Sequence, residues 1–307
     1  MNSAIGYARV VFGALLLTAM PGSAGEAGKA AGVSGDGRKK PLVLFVGDSI
    51  TAGKPTGQPD YKPTDPNEDP LLKEGAYGYY EAMVEATRGT NVSLRFAKMA
   101  SGGQGVTGWI GVACKQVLEK RHRDFKEMPA YLVVQDYITG KTPDELKSIE
   151  EAFRLMHAQA VKAGDVKLVW STVVTDPRGS SGLKAADADV KATTELILKL
   201  AGELKVPVIR LDIAWSRFVE YSKDKTPAKD WILTSFGRYS DGVHPGKVGA
   251  FFQAVVVARE LGIPAEKFDE TVPALGMDKA QAAEIKKLVY SWEEPTVISL
   301  PARQERE

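Results

Sequence analysis

The chain has 307 residues, 44% of them apolar and 26% charged, the composition of a soluble globular protein with enough length for a sizeable core. With 40 basic residues against 39 acidic ones the formal charge is +1, and no long basic or acidic block stands out. A partner that relies on a strong overall field, nucleic acid above all, is therefore not expected.

The first residues read differently from the rest. Arg9 precedes an apolar run, Val10 to Met20, which has the length of a signal-peptide core and is too short to span a bilayer. Pro21-Gly22-Ser23-Ala24 then offers small residues for cleavage, after Ala24. Residues 1–24 are expected to be a signal peptide, and residues 25–40, rich in Gly, Ala and Lys, a flexible linker. No cysteine follows the apolar run, so a lipid anchor is not expected. Removing Arg9 with the leader leaves 39 basic and 39 acidic residues. The expectation is an exported protein, secreted or periplasmic, with no stable membrane insertion after cleavage.

Leu42 to Val46 is an apolar run of the kind that makes a buried parallel strand. Residues 54–70 carry five prolines and several acids without periodicity, which suits a wall or lid of a site. A helix is expected from about Gly75 to Thr87 and a second strand at Val92–Phe96. The glycine-rich Ser101-Gly102-Gly103-Gln104-Gly105 follows, then a helix to about Lys120, and a third strand at Tyr131–Val134. Cys114, the only cysteine, falls in the apolar-rich stretch Trp109–Leu118 and reads as core packing.

Thr142-Pro143-Asp144-Glu145 is a helix start with a hydroxyl cap, proline at the first position and a capping-box glutamate. Leu146, Ile149, Phe153, Met156 and Ala160 continue it as one apolar stripe. A fourth strand is expected at Val166–Val174, a long helix at Leu183–Leu204, a fifth strand at Val208–Leu211 and a very apolar helix at Val248–Leu261. The alternation over residues 41–262 predicts one α/β domain with a mostly parallel, five-stranded sheet. Residues 263–307 are expected to be an extension packed on it, with one short helix from Asp278 to about Tyr290 striped by Ala282, Ile285 and Val289.

The first strand ends in Gly47-Asp48-Ser49-Ile50-Thr51. Open α/β sheets place their sites at the carboxyl ends of strands, so Ser49 is a candidate nucleophile, although Asp-Ser there also suits a helix N-cap. A nucleophilic serine needs a base, and the chain has three histidines. His122 lies in a charged helix end and reads as solvated; His157 lies at the margin of the long helix's stripe. His244 lies in Ser240-Asp241-Gly242-Val243-His244-Pro245-Gly246, just before the last apolar helix of the domain. A turn there can bring the Asp241 carboxylate against the imidazole, fixing its tautomer for work on a serine.

Gly-Asp-Ser at the first strand together with Asp-x-x-His-Pro before the last helix resembles the SGNH (GDSL) hydrolase superfamily, over about residues 41–262. The resemblance implies a three-layer α/β/α, flavodoxin-like SGNH-hydrolase domain. It implies Ser49 as nucleophile, His244 as general base and Asp241 as its orienting acid, with no metal and no cofactor. It further implies an oxyanion hole from the backbone N–H of Ser49, a glycine after the second strand and an asparagine after the third. Gly103 is the best candidate for that glycine, with Gly102 one register away. Gln135-Asp136 stands where the family has Asn-Asp, so Gln135 is the candidate amide donor, with the Thr139 hydroxyl as the other choice.

The activity expected is serine-type hydrolysis of a small-molecule or carbohydrate ester, first of all acetyl esters on sugars. Tyr77, Tyr79, Tyr80, Trp109, Trp231 and Tyr239 crowd the expected rim and suit sugar rings, though some of them belong to the core. A lipid or phospholipid acyl hydrolase, or a non-catalytic carbohydrate-binding protein on the same fold, are the alternative readings. Gly103-Gln104-Gly105-Val106-Thr107-Gly108 satisfies G-x-G-x-x-G, but it follows the second strand instead of the first and so does not read as a dinucleotide site.

Overall fold

The computed structural model describes residues 40–52, 78–123, 125–136, 139–172, 188–222, 245, 247–271 and 277–293. Five parallel strands form one sheet: β1 (Leu42–Gly47), β2 (Arg95–Ala100), β3 (Tyr131–Gln135), β4 (Lys167–Ser171) and β5 (Val208–Ile209). Their spatial order is β2-β1-β3-β4-β5, the doubly wound order of flavodoxin-like folds.

The β1 residues are buried on both sides because they alternate between two cores. Val43 and Phe45 face one layer, which holds α2 (Tyr79–Thr87), α6 (Leu211–Ser222), α7 (Lys247–Glu260) and α8 (Lys279–Tyr290). Leu44 and Val46 face the other, which holds α3 (Trp109–Leu118), α4 (Pro143–Ala163) and α5 (Ala188–Leu204). The fold is therefore a three-layer α/β/α sandwich, as the alternation predicts. A single turn, α1 (Ser49–Ala52), follows β1 directly.

Local signals place the helices well. Thr142 accepts from the Glu145 backbone N–H, and Glu145 accepts from the backbone of Thr142, so the capping box forms as read. Ile149, Phe153, Met156 and Ala160 of α4 are buried, with Leu146 partly so. The α7 helix is apolar nearly all round and is buried nearly all round, between α2 and α8. Cys114 is buried in the α3–α5 core, where burial pushes its thiol up to about 12, in keeping with a packing role.

Strand boundaries differ from the sequence reading, most of all in β2 and β5. The second strand starts at Arg95 and runs to Ala100, not over Val92–Phe96. Val92 and Leu94 are buried from the connecting segment, where Asn91 takes a positive φ of 53° and the chain has not yet joined the ladder. The strand continues through Lys98, which looks like a break, because Lys98 pairs with Glu81 of α2 and lies 5.3 Å over the Tyr80 ring. At the other edge β5 is two residues long, and Leu211 opens α6, a helix that the sequence reading did not include. The fourth strand ends at Ser171, residues 173–187 lie outside the described ones, and α5 is described from Ala188.

The α8 helix is capped by Asp278, and its stripe Ala282, Ile285 and Val289 joins the α7 core as expected. Beyond it, Arg259 of α7 donates to the Trp292 carbonyl at 2.8 Å, and the Arg217 guanidinium lies 5.1 Å from the Trp292 ring centre.

Two outcomes follow for stability. Thr142→Ala removes the cap hydroxyl of α4 and should cost about 1 kcal/mol in urea denaturation, with Thr142→Ser close to wild type. Asp212 sits at the start of α6 against Thr172 and Arg210. Burial alone would raise its carboxyl, but hydrogen bonds from Arg210 and Thr172 and the Arg210 charge outweigh that and hold it below the ordinary 3.8. A depressed native carboxyl stabilises the fold above the unfolded-state value and loses that contribution as pH falls through the native one. Asp212→Asn should therefore lower stability at neutral pH and show a shallower loss than wild type once pH drops below about 4, read by denaturation midpoints across pH 2–7.

Candidate active site

The site is built at the carboxyl ends of the three adjacent strands β2, β1 and β3. Their register is flush: Gly47 pairs with Ala100 on one side and with Gln135 on the other. The connection after β1 leads to α2 on one face of the sheet and the one after β3 leads to α4 on the other, so a crevice opens at the switch point between β1 and β3. Gln135 ends β3 at that level, and Ser49, Gly102 and Gly103 follow within three residues of the ends of β1 and β2.

Gly47 is required there. A Cβ at this position would lie 2.1 Å from Thr51 Oγ1, 2.7 Å from Thr51 Cβ and 3.0 Å from the Gln135 carbonyl oxygen. Asp48 is fully buried, and its Oδ1 accepts from the Ile50 backbone N–H at 2.9 Å. It thus caps the α1 turn, as the conservative reading of Asp-Ser anticipates, while placing Ser49 as the first residue of that turn. Ser49 is 3% exposed and lies against Gly102, whose added Cβ would come within 3.4 Å of Ser49 Cβ.

The glycine-rich segment is tied down at both ends. The Ser101 N–H donates to the Gly47 carbonyl at 3.0 Å, and the Val106 N–H donates to Asp136 Oδ2 at 2.7 Å. Gly103 has φ +69°, the left-handed conformation that favours glycine, and it is exposed. The Val106 amide, which a phosphate-binding loop would turn to a ligand, is taken by Asp136. The G-x-G-x-x-G string here is a strand-to-helix connection, in line with its rejection as a dinucleotide site.

Gln135 is the last residue of β3 and is 2% exposed. Its Oε1 accepts from Thr51 Oγ1 at 2.6 Å, and Thr51 Oγ1 in turn lies 3.5 Å from the Tyr79 hydroxyl. Its Nε2 is buried and has no hydrogen-bond partner among the described residues. Thr139, the other candidate, is partly buried beside Gly140, whose N–H donates to Thr193 of α5 at 3.0 Å and which packs on Leu146 of α4. Thr51 and Tyr79 are thus additions to the site. Thr51 sits two residues beyond Ser49 within the same motif, and that adjacency is its only sequence signal.

Other readings change. Tyr79 is a core residue, edge-on to Phe45, and burial pushes its phenol above the usual range. Tyr80 also packs edge-on to Phe45, which removes both from the expected sugar-binding rim. Trp109 is half-buried at the start of α3, while Tyr77, Trp231 and Tyr239 lie outside the described residues. His122 is not simply solvated: its Nδ1 accepts from the Phe125 backbone N–H at 3.1 Å. His157 is half-buried on α4, as read. Asp241 and His244 lie outside the described residues, as does the 54–70 segment. Pro245, the residue after His244, is buried two positions before α7.

No family profile and no curated protein sequence matches the chain. Solved structures do. A GDSL-like lipase from Parabacteroides merdae superposes with a TM-score of 0.50 at 18% identity, over 74% of this chain and 98% of that one. The acetyl xylan esterase AlAXEase gives 0.50 at 17% identity, over 71% and 98%. The fold is that of the GDSL-type hydrolases. With that fold, the switch-point crevice between β1 and β3 is where Ser49 stands. Among the described residues, no helix is long and apolar enough to cross a membrane.

The packing at Gly47 is testable. Gly47→Ala should lower stability by at least the ~1–3 kcal/mol of an overpacked core, because Thr51 is buried and hydrogen-bonded and has nowhere to move. Adding Thr51→Ala should restore part of the loss. A single variant as stable as wild type in urea would contradict the packing argument.

Proposed function

We propose that the protein is a serine esterase that hydrolyses acyl esters, acetyl esters of carbohydrates first among them. The observation that carries this reading is the position of Ser49, which stands at the switch point of a GDSL-type fold, against Gly102 and two residues past Gly47, the register partner of Gln135. In the proposed reaction Ser49 Oγ attacks the ester carbonyl while His244, oriented by Asp241, takes the hydroxyl proton. The tetrahedral intermediate collapses to an acyl-serine, and the alcohol leaves with the proton returned by His244. Water, deprotonated by the same imidazole, then attacks the acyl carbon and releases the acid and free Ser49.

The oxyanion is held by the backbone N–H groups of Ser49 and Gly103 and by the amide of Gln135. One such donor is worth about 10²–10³ in turnover, or roughly 3–4 kcal/mol. A glutamine in this role keeps an N–H donor of the kind the family's asparagine supplies, so the departure in the third block does not by itself remove the activity. The sugar-ester preference leans on the acetyl xylan esterase among the similar structures. Export after cleavage of residues 1–24 belongs to the same proposal and places the enzyme where polymeric carbohydrate is met.

Turnover of p-nitrophenyl acetate and of acetylated xylan, with fluorophosphonate labelling of the full chain, tests the reading. Ser49→Ala should abolish labelling and cut kcat by on the order of 10⁴–10⁶-fold, and His244→Ala should act similarly. Equal rates for wild type and Ser49→Ala would refute a serine mechanism. Release of long-chain acids in place of acetate would reassign the substrate to lipid esters.

A further inference from the structure

Thr51, Gln135 and Tyr79 form a buried chain of polar groups beside the proposed nucleophile. Thr51 is fully buried, with Tyr79 and Gln135 each 2% exposed. Counting hydrogens gives the chain a direction. The amide oxygen of Gln135 only accepts, so the single Thr51 hydroxyl proton goes to it across 2.6 Å. With that proton spent, the Tyr79 hydroxyl at 3.5 Å serves as donor to Thr51. Burial, the largest influence on the phenol, keeps Tyr79 protonated, so this donor persists through the neutral and mildly alkaline range.

The chain therefore pins one end of the Gln135 amide and leaves the other. Nε2 carries two N–H groups, is buried, and has no partner among the described residues. An unpaired buried donor is uncommon in a native protein and asks for an explanation. Gln135 lies level with Gly47, two residues before Ser49. Without the pin, a glutamine side chain, with one more rotatable bond than asparagine, would be free to turn its oxygen toward a developing negative charge.

Resting on the reading of Ser49 as nucleophile, we propose that Thr51, backed by Tyr79, is a positioning residue. It holds the Gln135 oxygen so that the Nε2 protons stay available to the oxyanion formed at the ester carbonyl.

The test is a double-mutant cycle of Thr51→Val and Gln135→Ala in the full chain. It measures kcat, KM and denaturation midpoint, with fluorophosphonate titration of reactive Ser49 to count folded sites. Thr51→Val keeps the shape that fills the space over Gly47 and removes only the hydroxyl. Expected are a fall in kcat of about 10-fold or more, a fraction of what a lost oxyanion donor costs, with KM within about 2-fold. In the Gln135→Ala background the same substitution should add almost nothing, because its effect runs through the amide. Thr51→Ser, which keeps the hydroxyl, should retain wild-type kcat, and Thr51→Ala replaces Thr51→Val as the hydroxyl-free variant if the latter does not fold. Unchanged kcat per titrated site in Thr51→Val, an equal loss in the Gln135→Ala background, or a Thr51→Ser enzyme as slow as a hydroxyl-free one would overturn the proposal while leaving the esterase reading intact. A wild-type chain that neither labels at Ser49 nor hydrolyses esters would overturn both.

Discussion

The seating of β1 between β2 and β3 is the constraint from which the site follows. Because Gly47 lies level with Ala100 and Gln135, three connections start from one plane at the carboxyl edge of the sheet. The missing side chain at residue 47 leaves a space, and Thr51 fills it. A slip of one residue in either pairing would exchange the faces of β1, burying Val43 and Phe45 where Leu44 and Val46 belong. Both faces are closed by apolar layers, so the register is held by the whole of the core.

The two layers have different tasks around that edge. The α3–α5 layer receives the chain from the glycine-rich connection, and the Asp136 contact to Val106 couples that connection to the end of β3. The α2, α6, α7 and α8 layer supplies Tyr79, and α7 is the helix that follows the proposed base, His244, in sequence. The α7 helix is gripped on one flank by α2 and on the other by α8, whose stripe inserts into the same core. The polypeptide after residue 262 is thus structurally joined to the helix that follows the proposed base. The paired charges, Arg210 with Asp212 and Lys286 with Glu270, lie at partly exposed positions, where they tune stability.

How legible each part was depended on how local its cause is. The α4 helix was readable to the residue at its start because a cap, a proline and a stripe all lie within one short segment. The second strand was displaced because burial and ladder pairing are separate things: Val92 and Leu94 are buried without being paired, and Lys98 is paired without being apolar. The α6 helix is hard to see in the sequence although Leu211, Ala214, Trp215 and Phe218 repeat at helical spacing, because Leu211 also prolongs the apolar β5 run. Tyr79 and Tyr80 suit the rim by sequence, but Phe45 draws both inward, a contact across more than thirty residues of sequence.

What the amino-acid sequence determined alone is the set of elements and the chemistry available at their ends. Strand runs, caps, stripes and the Gly-Asp-Ser and Asp-x-x-His-Pro strings are statements about near neighbours, and near neighbours decide backbone conformation. Only the tertiary structure decided strand order, the flush register at Gly47 and the hydrogen bond that joins Thr51 to Gln135. Those two residues are 84 positions apart, and no propensity or period at either one refers to the other. Their meeting is set by which strands the packed layers bring side by side, and so the state of the Gln135 amide belongs to the fold.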